Sequence, residues 1–139
     1  MKIVQKEATI SIDSRVDMTI KQNEEKLRQV LLILLDNAIK YVDYKGLISV
    51  VIIPLEGHVM IKVTNSGAEI SSEDLSRIFE RFYRGTKAKK GNEGHGLGLA
   101  IAKEIVQLLG GQIFAESVVD EIATFGFVLP INEQSNHTK

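Results

Sequence analysis

The sequence predicts an α+β two-layer sandwich: a mixed, mostly antiparallel sheet covered on one face by about three helices. Three observations predict it. Two pairs of strand-like apolar runs are each joined by a short turn, the pattern of consecutive antiparallel strands. Two longer stretches carry apolar residues at steps of three and four, the period of a helix that buries one side. The 139 residues suffice for one compact domain with a real core, and no internal repeat divides them.

The elements follow in order. Ala8–Ile12 alternates as a strand, with Met18–Ile20 as a short partner. Asn23 to Val42 reads as a long helix, with Leu27, Val30, Leu31, Leu34, Leu35 and Ala38 on its apolar side. Asn23 suits an N-cap, and Glu24 and Glu25 place negative charge at the positive end of the dipole. Leu47–Pro54 and His58–Thr64 form a hairpin about Glu56-Gly57, with Val59, Ile61 and Val63 on one face. Ser71 or Ser72 caps a short helix carrying Leu75, Ile78 and Phe79. From Arg84 to Gly94 the periodicity stops, and a polar stretch rich in lysine and glycine reads as a surface loop. The next helix begins near Leu97, aligns Leu97, Ile101, Ile105 and Leu108, and stops at Gly110-Gly111. Gln112–Val119 and Ile122–Leu129 make a second hairpin turning at Asp120-Glu121. The domain is expected over 1–131, with the polar tail 132–139 disordered.

Composition narrows the function. Apolar residues are 44% and charged residues 25% of the chain, ordinary for a globular domain, and a net charge of −1 gives no electrostatic case for nucleic acid. Cysteine is absent, which removes disulfides and thiolate metal sites. No apolar run approaches the roughly 20 residues that span a bilayer, so no membrane contact is expected from this stretch.

The densest chemical signal is Gly94-His95-Gly96-Leu97-Gly98-Leu99-Ala100, a glycine-rich turn running into a helix. Free N–H groups at a helix start favour anions, so the turn points to phosphate; the plainer alternative is a linker before an ordinary helix. The Rossmann pattern fails because position 99 is Leu and the preceding segment is loop. A Walker loop fails because no Lys followed by Ser or Thr comes after the last glycine. Asn37, Lys40, Tyr41 and Ile33 share one edge of the long helix. The Asn37 oxygen is a hard ligand suited to Mg²⁺, Lys40 can neutralise phosphate, and Tyr41 can rim a base; alternatively this is a helix boundary with a solvated Lys. Asn65-Ser66-Gly67 comes just after the Val59–Thr64 strand, where it can read a ligand edge or simply turn the chain. Arg81, Arg84, Lys87, Lys89 and Lys90 make a basic stretch around the loop.

Together these segments resemble the catalytic domain of histidine kinases, within the superfamily of gyrase-type ATPases, heat-shock chaperones and mismatch-repair ATPases. The match runs from roughly Ala8 to Pro130. Glu25-Lys26-Leu27-Arg28-Gln29-Val30-Leu31 with Leu34-Leu35-Asp36-Asn37-Ala38-Ile39-Lys40-Tyr41 is similar to the family's asparagine box. Ile78-Phe79-Glu80-Arg81-Phe82-Tyr83-Arg84 is similar to its phenylalanine box, and Gly94–Leu99 to its second glycine box. The resemblance implies a Bergerat-type ATP-binding fold with ATP and Mg²⁺ as cofactors. It implies that Asn37 ligands Mg²⁺, that Lys40 contacts phosphate, that Tyr41 lines the adenine pocket, and that Arg84 approaches the γ-phosphate. Gly94, His95, Gly96, Leu97, Gly98 and Leu99 would cradle the phosphates, while Asn65, Gly67, Ile70, Phe82 and Thr124 would complete the nucleotide site.

Three departures stand out. Asn65 holds the position of the aspartate that accepts from the adenine amino group; a neutral bond loses on the order of 1 kcal/mol against a charge-assisted one. Its NH₂ can also donate, so weaker discrimination against guanine is expected. Glu69 replaces the second glycine of the first glycine box, and Ile33 replaces an asparagine one helical turn before Asn37.

The function implied is transfer of the γ-phosphate to a histidine on a separate dimerisation domain, with a response regulator further downstream. His58, His95 and His137 fall in a hairpin, the loop and the tail, so autophosphorylation by this stretch alone is not expected. The domain is expected to be monomeric and to belong to the cytoplasmic part of a membrane-anchored sensor. Two competing readings are a degenerate nucleotide-sensing or interaction module of the same fold, and a serine kinase acting on a protein partner. The phenylalanine box disfavours the latter.

Overall fold

Eight elements form, in a computed structural model that describes residues 7–14, 23–67, 70–81, 83, 97–118 and 122–131. They are β1 (Thr9–Ser14), α1 (Glu24–Tyr41), β2 (Leu47–Leu55), β3 (His58–Ser66), α2 (Ser72–Leu75), α3 (Gly98–Leu108), β4 (Gln112–Val118) and β5 (Ile122–Pro130). The strands lie in the order β1-β2-β3-β5-β4. β1 runs parallel to β2 and every other pairing is antiparallel, so the sheet is mixed as expected.

Asn23 starts α1 because its extended backbone and side-chain oxygen meet the Lys26 N–H at 3.0 Å. The helix ends where Val42 turns extended, its N–H still bonded to the Ala38 carbonyl at 2.9 Å. Asn23→Ala is expected to lower stability by about 1 kcal/mol through the orphaned N–H, read as a shift in the urea midpoint at unchanged slope. An unchanged midpoint would show that water satisfies that group equally well.

Val30, Leu34, Ala38 and Val42 from α1 meet Ile48, Val50, Val59, Ile61, Val63, Phe125, Phe127 and Leu129 from one face of the sheet, and Ala102, Ile105 and Val106 from α3. Alternation along β3 and β5 puts these residues on the helix side and leaves Thr64 and Thr124 on the other, where their hydroxyls bond at 3.0 Å.

Three expectations change. The first strand is Thr9–Ser14 rather than Ala8–Ile12. Leu108 does not share the buried face of its helix: it is 74% exposed, while Ala100, Ala102, Ile105 and Val106 are buried. Stepping about 100° per residue, that face centres between Ile105 and Val106, and Leu108 falls past its edge. Ile78 and Phe79 lie in turns beyond the four residues of α2, with the Phe79 ring edge-on to Phe125 at 6.3 Å. The expected Met18–Ile20 strand, the Arg84 to Gly94 loop, the Asp120-Glu121 turn, Glu69 and the tail 132–139 lie outside the described residues. No described helix is long and apolar enough to cross a membrane.

Candidate functional site

At one end of the sheet the C-termini of β3 and β4 meet the N-termini of β2 and β5. Asn65 lies there on the helix side, in register with Ile48 on β2 and Ala123 on β5, and is only 1% exposed. Its Nδ2 donates to the Ser66 carbonyl at 3.0 Å. That bond decides which way the amide points, because the reverse rotamer would set two acceptor oxygens against each other with no proton between them. Oδ1 is therefore presented as an acceptor. The Ser66 carbonyl takes one of the two N–H donors of Asn65, so base discrimination turns on whether the amide keeps this orientation.

The neighbouring turn is clasped to the end of α1. Ser66 Oγ donates to Asp43 Oδ1 at 2.8 Å and accepts from the Leu47 N–H at 3.0 Å. Gly67 has φ +98°, and a Cβ there would come within 2.6 Å of the Asp43 nitrogen. At Gly46 a Cβ would sit 2.0 Å from Asp43 Oδ1. On the far side of the turn, Ile70, half-buried, donates its N–H to Ser117 Oγ at 2.8 Å. Asp43 and Ser117 had no sequence signal, since each pairing spans a separation that only the fold closes.

One flank of α1 carries Ile33, Asn37 and Lys40, with Tyr41 at its last position, 37% exposed. Asn37 and Lys40 are half-buried, and Lys40 Nζ lies 3.8 Å from Asp36 Oδ2. This flank meets the start of α3: a Cβ on Gly98 would touch Ile33 Cγ2 at 3.6 Å, one turn before Asn37. Leu97 begins α3 with no side-chain cap, so the first N–H groups gain no acceptor from it. The opposite end of α3 closes with the Gly111 N–H on the Val106 carbonyl at 2.9 Å, and a Cβ on Gly110 would lie 3.5 Å from Pro130. The N-terminus of α3 thus points toward the Asn65 end of the sheet, with Gly98 exposed and Leu99 half-buried. Among the described residues no three His, Cys, Asp or Glu side chains cluster to cage a metal. A lone amide oxygen such as that of Asn37 instead suits Mg²⁺, which takes most of its ligands from water and phosphate.

The segment after α2 is held in three places. Ser71 Oγ caps the Asp74 N–H at 3.1 Å, and the buried Asp74 carboxylate accepts from the Tyr83 hydroxyl. This hydrogen bond raises the Tyr83 pKa, so the phenol stays protonated at neutral pH. Arg77 stacks 4.6 Å over the Tyr83 ring, and Arg81 reaches Glu104 on α3 at 3.0 Å. Phe82, Arg84, Gly94, His95 and Gly96 lie outside the described residues. Thr124 does not join the others: it pairs with Thr64 on the face away from Asn65, because side chains alternate along β5.

Residues 22–133 match the family described as histidine kinase-, DNA gyrase B- and HSP90-like ATPases. The chain is 41% identical over 113 residues to the signal transduction histidine-protein kinase ArlS of Staphylococcus epidermidis, covering 81% of this chain and 25% of ArlS. It thus spans about a quarter of that relative's length. Its fold superimposes on the mycobacterial sensor histidine kinase MprB with TM-score 0.82 at 25% identity, covering 94% of this chain and 88% of MprB. It also superimposes on histidine kinase ThkA, solved in complex with response regulator protein TrrA, with TM-score 0.78 at 25% identity, covering 96% of this chain and 37% of that one. The chain therefore belongs to the histidine kinase-, gyrase- and HSP90-like ATPase family, as the ATP-binding catalytic domain of a sensor histidine kinase.

Proposed function

We propose that this domain binds Mg-ATP and delivers the γ-phosphate to a histidine on a separate dimerisation domain, as one step of two-component signalling. One juxtaposition carries the reading: the start of α3, without a side-chain cap, meets the Asn37 flank of α1 at the end of the sheet where the buried Asn65 has its amide nitrogen committed to Ser66. Phosphoryl transfer needs positioning and charge neutralisation more than covalent chemistry, and these groups supply both. The N–H groups that open α3 bind phosphate oxygens, Lys40 offsets their charge, and the Asn37 oxygen takes one position on the magnesium ion. Bound magnesium supplies charge neutralisation across the phosphates. Asn65 Oδ1 accepts from the 6-amino group of adenine, while Gly67, Ile70, Tyr41 and Phe82 border the base. Arg84 completes the site at the γ-phosphate.

The acceptor histidine comes from another domain. His58 sits beside the β2–β3 turn, with Nδ1 3.3 Å from the Glu56 carbonyl oxygen, rather than on a helix next to an acid. A response regulator takes the phosphoryl group onward, a partner of the kind seen with ThkA.

Calorimetry of ADP with and without Mg²⁺ tests the reading directly. Affinity is expected to rise on adding Mg²⁺, and binding indifferent to the ion would remove Asn37 from the role of ligand. Adding the cognate dimerisation domain and ATP should then produce phosphohistidine on that domain and no label on this one. Nucleotide binding without transfer would identify a sensing module instead.

A further inference from the structure

Asn65 can discriminate between bases only if its amide is prevented from turning over. The terminal torsion of an asparagine side chain is broad and nearly two-fold, so nothing in the residue itself selects oxygen-outward over nitrogen-outward. The selection comes from Ser66, whose carbonyl accepts from Nδ2 at 3.0 Å. Ser66 is in turn fully committed: its hydroxyl donates to Asp43 Oδ1 at 2.8 Å and accepts from the Leu47 N–H at 3.0 Å. Gly67 folds over Asp43 in a backbone conformation that side chains rarely adopt, and both Gly46 and Gly67 lack the Cβ that would collide with Asp43. Gly46 and the adjacent pair Ser66-Gly67, distant from it in sequence, are thus shaped around one carboxylate.

We propose that Asp43 is a positioning residue for base selectivity: through Ser66 it locks the Asn65 amide oxygen-outward, so the site accepts a purine 6-amino group and rejects a 6-oxo group. The inference rests on the reading that Asn65 faces the base. It explains how a neutral asparagine performs as a pure acceptor. Without Asp43 the Ser66 hydroxyl loses its acceptor, the Ser66–Gly67 peptide loses its anchor, and the amide is free to turn its NH₂ toward a guanine oxygen.

The test measures ADP and GDP affinities for the unaltered domain and for Asp43→Ala, Asp43→Asn, Ser66→Ala and Asn65→Leu. The unaltered domain is expected to prefer ADP strongly. Asp43→Ala is expected to narrow that preference about tenfold, the scale of one hydrogen bond. Asp43→Asn keeps an oxygen that accepts from Ser66 and should retain the preference, whereas Ser66→Ala removes that bond with little change in packing and should narrow it. If Asp43→Ala fails to fold, as judged by thermal melting, Ser66→Ala carries the same expected narrowing. Asn65→Leu separates the two levels of the argument. ADP affinity unaffected by Asn65→Leu would overturn the base-facing reading itself. Loss of ADP affinity there, with an unchanged ADP/GDP ratio in Asp43→Ala or its Ser66→Ala substitute, would overturn only the role of Asp43.

Discussion

Asn37→Ala should lower phosphohistidine formation on a supplied dimerisation domain by at least about 100-fold while leaving the domain folded. Asn37 is half-buried and lies beside the Val30, Leu34 and Ala38 stripe rather than in it, so truncation leaves the α1 packing in place. What is lost is the only protein oxygen assigned to the metal, together with the dependence of ADP binding on Mg²⁺. The loss should appear mainly in the rate at saturating ATP, since Asn65 and the α3 N-terminus still hold the nucleotide. Transfer at near-normal rate by a folded Asn37→Ala variant would place the metal elsewhere and leave the α1 flank with a structural role alone.

The largest effect on stability is expected at Phe127. It is fully buried, faces Ile61 on β3 and Ile113 on β4 in register, and heads the fully buried side chains by size. Phe127→Ala should cost about 3–5 kcal/mol, because the lost transfer energy adds to a cavity that a sheet centre cannot collapse into. A domain of this size has about 5–15 kcal/mol in all, so the variant sits near its unfolding threshold at ordinary temperature. Leu108→Ala, at an apolar residue 74% exposed, should change stability by no more than about 0.5 kcal/mol. Urea unfolding of the pair provides the comparison, and equal losses at both positions would contradict the burial assigned to α3 and β5.

Much of the fold is legible in the chain because the signals are local. The three-and-four spacing from Leu27 to Ala38 marks α1, Asn23 caps it, and Gly110-Gly111 ends α3. Alternation marks β3, apolar runs mark β2 and β5, and Glu56-Gly57 marks the first hairpin turn. These depend on a residue and its near neighbours, where steric and capping preferences act without help from the rest of the molecule. The family's ordered boxes are likewise linear, so the resemblance they carry together, rather than any one residue, marks Asn37, Lys40 and the Gly94–Leu99 turn.

Those boxes pointed to a nucleotide, and the fold shows how Asn65 is held. Sequence alone placed Asn65 just after one strand and Thr124 in another. Only the tertiary structure decided that β3 pairs with β5 in the register Asn65↔Ala123, which sends Thr124 to the opposite face. A slip of one residue would have put Thr124 beside Asn65, at the cost of turning Phe125, Phe127 and Leu129 away from the helices. Local preference cannot choose the direction of the Asn65 amide either. That choice needs the Ser66 carbonyl, held by Asp43 from 23 residues away, and such contacts exist only once the chain has closed on itself.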